Sequence, residues 1–210
     1  QRAAHFPPGA KKVMRSLTSG EAAELLGVDH TYLRKLHREG KITDVETTAG
    51  SHRRYTLDDV WEIRQSLEAN AKKPGTYVPG RRKGDELQVI SVVNFKGGSG
   101  KTTTSAHLAQ RLAFKGYRVL AIDLDPQASL SALHGIQPEL DLMEGGTLYD
   151  AVRYDDPVPV SEVIRKTYIR GLDLIPGNLE LMGFERVPPA AIQRGGARAF
   201  SMVVVSPVDA

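Results

Sequence analysis

The segment Lys96-Gly97-Gly98-Ser99-Gly100-Lys101-Thr102 constrains this chain more than any other. It follows an apolar run, Val89-Ile90-Ser91-Val92-Val93, that reads as a buried parallel strand. It precedes a helical pattern from Thr103 to Phe114. Strand, glycine-rich turn and helix together form the setting a phosphate-binding loop needs. Glycines let the backbone curl tightly and aim successive N–H groups inward, an anion nest at a helix N-terminus. Lys101 can reach the β- and γ-phosphates of a nucleotide, and the Thr102 hydroxyl can ligate Mg²⁺. The common motif has glycine six residues before its lysine; here Phe95 stands there, followed by an additional lysine, Lys96. A glycine-rich turn that binds nothing is the plain alternative, and it leaves the succession of strand, loop, Lys-Thr and helix without a reason.

A second strand pattern, Val119-Leu120-Ala121-Ile122, runs into Asp123-Leu124-Asp125-Pro126-Gln127. Carboxylates at the carboxyl end of a parallel strand sit beside the phosphate loop, where such sheets bind ligands. One can hold Mg²⁺ through water, and the other can orient an attacking water. Phosphoryl transfer asks for little more than positioning and charge neutralisation. Asp123 and Asp125 could instead cap a helix at a strand–helix junction. Their place 22 residues beyond Lys101 favours the site.

The chain has 210 residues, enough for one or two domains. Hydrophobic residues at 40% and charged residues at 25% are ordinary for a soluble globular protein. No apolar run is long enough for a membrane span, and no apolar signal region opens the chain. The first residue is Gln1 rather than Met, so further residues are expected before it. The absence of cysteine excludes disulfides, thiolate zinc sites and iron–sulfur clusters, and a cytoplasmic location is expected. Charge is uneven. Residues 1–84 carry 16 Lys+Arg against 10 Asp+Glu, whereas residues 85–210 carry 12 against 15. A polyanion partner for the first segment follows, with a merely solvated basic surface as the alternative.

Residues 1–15 lack periodicity and contain Pro7-Pro8-Gly9, which predicts a disordered arm. A helical unit is expected over residues 16–70. Residues 71–84, with two prolines and several basic residues, read as a linker. The phosphate-loop domain then spans residues 85–210. Within the first unit, Thr18-Ser19-Gly20-Glu21 opens a helix carrying Ala22, Ala23, Leu25 and Leu26. Gly27-Val28 makes a sharp turn, and Asp29 caps a second helix, His30 to Glu39. Leu33 and Leu36 should face inward, with Thr31, Tyr32, Arg34, Lys35 and Arg38 outward. Gly50-Ser51-His52-Arg53-Arg54-Tyr55 suggests a basic hairpin wing, and Thr56 caps a third helix, Leu57 to Leu67, with Val60, Trp61 and Ile63 on its apolar side.

The pattern Glu-Ala-Ala-x-Leu-Leu-Gly-Val, then Leu-Arg, Glu-Gly and Arg-Arg-Tyr resembles the MerR-type winged helix. That resemblance implies that the second helix enters the major groove and the wing touches phosphates. Thr31, Tyr32, Arg34, Lys35 and Arg38 would then face duplex DNA, with Arg53 and Arg54 on its backbone. A small helical dimerisation module with solubilising arginines is the alternative.

Val-Asn-Phe-Lys-Gly-Gly-Ser-Gly-Lys-Thr-Thr-Thr with Asp-Leu-Asp-Pro-Gln-Ala-Ser-Leu resembles the ParA/MinD ATPases and their deviant phosphate loop. A winged helix ahead of that domain is similar to the larger plasmid ParA proteins, the RepA type of repABC replicons. The likeness runs from about Ser16 to about Phe184 and includes Thr147-Leu148-Tyr149 and Leu174-Ile175-Pro176-Gly177-Asn178. It implies an α/β fold, a winged helix-turn-helix followed by a P-loop NTPase domain with a parallel sheet. ATP or ADP would be held by Lys96, Gly97, Gly98, Ser99, Gly100, Lys101, Thr102 and Thr103, and Mg²⁺ by Thr102, Asp123 and Asp125. The implied catalytic residues are Lys96, acting across an ATP-dependent homodimer, Lys101, and Asp125, which positions water. Implied partners are operator and nucleoid DNA and a ParB/RepB-type centromere-binding protein, with repression of its own operon. In the family a third catalytic strand ends in Asp-x-Pro-Pro. Here Pro188-Pro189 is followed by Gln193-Arg194-Gly195-Gly196, and Ser201 to Ser206 ends in no aspartate. A truncated or altered ATPase domain is therefore expected, without a recognisable adenine pocket. Two rivals stand beside this reading. One is a non-enzymatic DNA-binding repressor. The other is a MinD-like membrane-organising ATPase, which would need a C-terminal amphipathic helix that the sequence does not show.

Overall fold

Three side-chain caps set out the first unit. Thr18 and Glu21 exchange hydrogen bonds with each other's backbone, a capping box that starts α1 (Ser19–Leu26) beside the short strand β1 (Leu17–Thr18). Gly27 ends α1 in the left-handed region at φ 71°. The Asp29 carboxylate then accepts the Thr31 N–H and starts α2 (His30–Arg38). Thr56 and Asp59 form a second capping box after β2 (Arg54–Tyr55) and open α3 (Leu57–Ala69). In the computed structural model the described residues are 12–50, 52–79, 87–94, 96–142 and 146–183, with the backbone of 201–206. Residues 1–11 of the expected arm, Ser51 of the wing, residues 80–84 of the expected linker, Phe95, and Pro188 to Arg194 lie outside them.

The two capping boxes fix where the helices begin, and their apolar faces then meet. Ala22, Ala23, Leu26, Leu33, Leu36, Tyr55, Val60, Ile63 and Leu67 form one buried core. β1 pairs antiparallel with β2, so the wing folds back on the first helix. The wing itself is a hairpin: Thr47 bridges Arg53, and the Arg54 N–H donates to the Glu46 carbonyl.

The second unit continues with β3 (Gln88–Val92), α4 (Lys101–Phe114), β4 (Arg118–Asp123) and the short helices α5 (Ser129–Leu133), α6 (Pro138–Asp141), α7 (Leu148–Val152) and α8 (Val160–Val163). Strands β5 (Arg165–Lys166), β6 (Leu172–Ile175) and β7 (Ser201–Ser206) follow. The sheet order is β3-β7-β4-β6-β5. β4 and β6 are parallel, as the sequence predicts for such a domain. β7 is inserted antiparallel between β3 and β4, so the sheet is mixed while β3, β4 and β6 all point the same way.

Val89 to Val93 therefore does not form the buried parallel strand its composition suggests. Among the described residues β3 pairs on one side only, with β7, and Val89 stays 54% exposed. An apolar run becomes an interior strand only when neighbours cover it, and the run itself does not specify them. Helix α4 lies on the sheet through Ala106, Ala109 and Ala113. These small residues at helical spacing bring its axis close to Val119, Ala121 and Leu174.

Candidate functional site

Because β3, β4 and β6 share a direction, the loops that follow them gather at one edge of the sheet. That edge holds the phosphate loop after β3, Asp123 to Gln127 after β4, and Pro176 to Asn178 after β6. Ligands of open α/β sheets bind at this carboxyl edge.

The glycine-rich loop after β3 turns through left-handed glycines. Gly98 and Gly100 lie at φ 71° and 81°, a left-handed backbone that side-chain-bearing residues avoid. Gly100 caps α4 with no side-chain bond, so the first N–H groups of the helix point outward unclaimed by any cap. Lys96 to Gly100 are exposed, and Lys101 and Thr102 half-buried. The Lys101 ammonium folds back onto the Lys96 carbonyl at 3.3 Å. The Asn94 side-chain oxygen accepts the Lys96 N–H at 2.9 Å and turns the chain into the loop. Thr103 opens the exposed face of α4.

The two aspartates occupy different environments. Asp125 is half-buried, and its carboxylate accepts the Gln127 N–H at 3.0 Å. Asp123 is fully buried. One of its oxygens accepts the Ser131 N–H at 2.8 Å and the Ser131 hydroxyl at 2.7 Å, and the other accepts the Asp125 N–H at 3.2 Å. Burial pushes the Asp123 carboxyl above its ordinary range, against the pull of these bonds from Ser131 and Asp125. The Ser131 hydroxyl in turn accepts the Gly177 N–H at 3.2 Å. A methyl group on Gly177 would sit 2.7 Å from the Asp123 carbonyl and 2.9 Å from that of Asp125, so only glycine permits this approach. The Asp-x-Asp loop and the Pro176-Gly177-Asn178 loop are thus tied through a buried carboxylate and a hydroxyl.

Thr102, Lys101 and Asp125 suit a nucleotide with Mg²⁺. That ion takes few protein ligands and completes its shell with phosphate oxygens and water, so one hydroxyl and one carboxylate at the same sheet edge suit it. Among the described residues no cluster of three or more His, Cys, Asp or Glu could hold a metal by itself.

In the winged helix Leu33 and Leu36 are buried as predicted, and Thr31, Tyr32, Arg34, Lys35 and Arg38 form an exposed face on α2. Arg53 and Arg54 on the wing are half-buried. Lys35 lies 3.7 Å from Glu39, a solvent-exposed pair worth little. His37 faces inward, its Nε2 2.9 Å from the Tyr55 hydroxyl, so α2 and the wing strand share one buried polar contact. Trp61 leaves the helical core and sits under Arg170 of the second unit, 6.0 Å from the ring centre.

Asn94, Ser131 and Gly177 are site residues that sequence reasoning passes over. Asn94 and Gly177 stand inside quoted motifs, and the signal for them is an Asx residue entering a loop and a glycine just after a strand. Ser131 carries no sequence signal, because its partners are decided by folding.

Residues 87–196 match the family profile described as AAA domain, and residues 17–66 match the MerR HTH family regulatory proteins. The chain belongs to the ParA-like AAA-domain family, with a MerR-type helix-turn-helix unit in front. It is 52% identical over 189 residues to a putative replication protein A of Sinorhizobium fredii, covering 89% of this chain and 46% of that one. It is 34% identical over 185 residues to protein SopA of Escherichia coli, covering 85% and 45%. The chain thus spans about half the length of these relatives. A crystal structure of cobyrinic acid a,c-diamide synthase from Mycobacterium smegmatis with bound ATP analog and magnesium aligns at 35% identity. It covers 45% of this chain and 36% of that one, with a TM-score of 0.40.

Proposed function

We propose that this polypeptide carries the DNA-reading unit and the phosphate-contacting half of a plasmid partition ATPase. The observation that carries the reading is the placement of the phosphate loop and the Asp125 loop at the same sheet edge, behind a winged helix whose exposed face is basic. Membership of the ParA-like family, with a MerR-type helix-turn-helix unit in front, supports the partition role.

In this reading the N–H groups of the loop and Lys101 hold the phosphates of ATP or ADP. Thr102 and Asp125 hold Mg²⁺, which neutralises phosphate charge when bound. Asp125 also orients the attacking water. Asp123, with its oxygens committed to Ser131 and Asp125, holds that loop in place instead of binding the ion directly. Lys96, exposed at the loop's entrance, serves a second subunit in an ATP-dependent homodimer. Helix α2, through Thr31, Tyr32, Arg34, Lys35 and Arg38, reads operator DNA, while Arg53 and Arg54 grip its phosphates. Nucleoid DNA and a ParB/RepB-type centromere-binding protein are the remaining partners, and the protein represses its own operon from a cytoplasmic, nucleoid-associated location. Among the described residues no helix is long and apolar enough to cross a membrane.

The deciding experiment titrates a fluorescent ATP analogue, with and without Mg²⁺, against the wild type and Lys101→Ala, beside a duplex titration at several salt concentrations. Mg²⁺-dependent nucleotide binding lost in the variant supports the ATPase reading. Salt-dependent duplex binding with no nucleotide binding would leave a DNA-binding repressor alone.

A further inference from the structure

Arg64 on α3 is the most deeply buried cation among the described residues, 5% exposed, and no carboxylate pairs with it there. Its guanidinium donates instead to backbone carbonyls: Leu25 at 2.5 Å, Tyr77 at 2.8 Å, Phe114 at 2.9 Å and Lys115 at 3.3 Å. Leu25 lies in the last turn of α1, and Phe114 and Lys115 close α4. Carbonyls at helix C-termini have no intrahelical partner and carry partial negative charge. One planar guanidinium therefore caps two helices at once, one in each unit. Burial draws Arg64 below its ordinary pKa, yet an arginine keeps its charge, so these carbonyls must offset its lost hydration.

One turn further along the same helix, Glu68 grips the other polarity of the backbone. Its oxygens accept the N–H groups of Gly75 at 2.5 Å, Tyr77 at 2.7 Å and Val78 at 2.9 Å. Burial raises the Glu68 carboxyl, but these backbone donors outweigh it and hold the group below its ordinary value. Residues 71–79, composed like a flexible linker, are thereby strapped along α3, and the strap's Tyr77 carbonyl is one of the groups Arg64 holds. Outside this centre, Arg170 closes on Asp58 at 2.7 Å.

We propose that Arg64, with Glu68, latches the winged helix to the far end of the phosphate-loop helix, so that the two units form one rigid body and not two modules on a loose tether. Helix α4 starts in the phosphate loop and ends beneath Arg64, about 21 Å away at 1.5 Å per residue over its 14 residues. The recognition helix thus keeps a set direction relative to the nucleotide edge of the sheet. The proposal depends on neither nucleotide nor DNA binding, and it can fail while the proposed function stands.

The chain has no cysteine, so two spin labels can be placed cleanly at the exposed positions Thr43 and His107, one on each unit. Electron–electron double resonance on the full chain should give one narrow distance distribution. Arg64→Met should lose that narrow peak to a broad or split distribution, while helix content by circular dichroism is retained. Should that variant unfold, Arg64→Lys serves. It keeps the charge but replaces the planar fork that reaches the Leu25, Tyr77, Phe114 and Lys115 carbonyls with a single ammonium, and the same loss of the narrow peak is expected. A broad distribution in the unsubstituted protein, or an unchanged narrow one in the folded variants, would overturn the latch.

Discussion

Asp123 and Ser131 are bonded twice in the interior, by the serine N–H at 2.8 Å and its hydroxyl at 2.7 Å. The same hydroxyl holds the Gly177 N–H. Ser131→Ala removes a bond to a buried charge and leaves the Gly177 donor unpaired. Bonds of this kind contribute about 1.5–3 kcal/mol, so a loss of that size in urea-unfolding stability is expected. An unchanged midpoint would mean that water replaces the hydroxyl.

Lys101 and Lys96 should not be interchangeable. Lys101 stands at the first turn of α4 within the nest, so Lys101→Ala should abolish nucleotide binding. Lys96 is exposed before the glycines. In a protein with the complete ATPase domain, Lys96→Ala should leave monomer binding nearly intact and remove ATP-driven dimers. A charge supplied across an interface is worth roughly 10³–10⁵ in hydrolysis rate. Equilibrium binding read beside sedimentation separates the two, and equal loss of affinity in both variants would reduce Lys96 to an ordinary loop residue.

Arg34 and Arg53 should differ in kind. Arg34→Ala, on the exposed face of α2, should cost roughly 1–3 kcal/mol for the cognate operator and relax its sequence preference. Arg53→Ala, on the wing, should weaken binding to all duplexes alike and flatten the salt dependence by about one counterion. Competition titrations with operator and scrambled duplexes show which pattern holds.

Stability should fall as pH drops below about 6.5, the ordinary value for histidine. Burial lowers His37, with help from nearby Arg53 and against Asp44, and burial also lowers His134. The unfolded chain then takes up protons that the native one refuses, so the contribution is full above that pH and lost below it. Asp123 acts with the opposite sign, because burial raises its carboxyl. Urea midpoints at about pH 7.5 and about pH 5.5 measure the drop, and His37→Gln should lessen it. A flat profile would show that neither ring is excluded from water.

Much of the winged helix was legible because its signals are local. Thr18, Asp29 and Thr56 each sit within three residues of the N–H they cap, and each caps the helix it was expected to open. The left-handed turns of the phosphate loop are likewise local, since Gly98 and Gly100 supply them without help from distant chain. The burial of β3 was misread because an apolar run specifies a strand but not its neighbours, and β7 reaches it from more than 100 residues away. Composition marks residues 71–79 as a connection between the units, but it does not record that Glu68 holds this connection along α3.

By itself, the sequence determined the order of the units, the helix starts, the phosphate loop and the two candidate carboxylates, all set by contacts within a turn or two of chain. Tertiary structure alone decided what those groups became. It buried Asp123 against Ser131 and left Asp125 half-open, and it brought Gly177 to Ser131 across 46 residues. It also set Arg64 under the end of α4, whose carbonyls lie 50 and 51 residues further along the chain. A side chain's hydration and partners depend on which distant surfaces close over it, and only the completed packing supplies them.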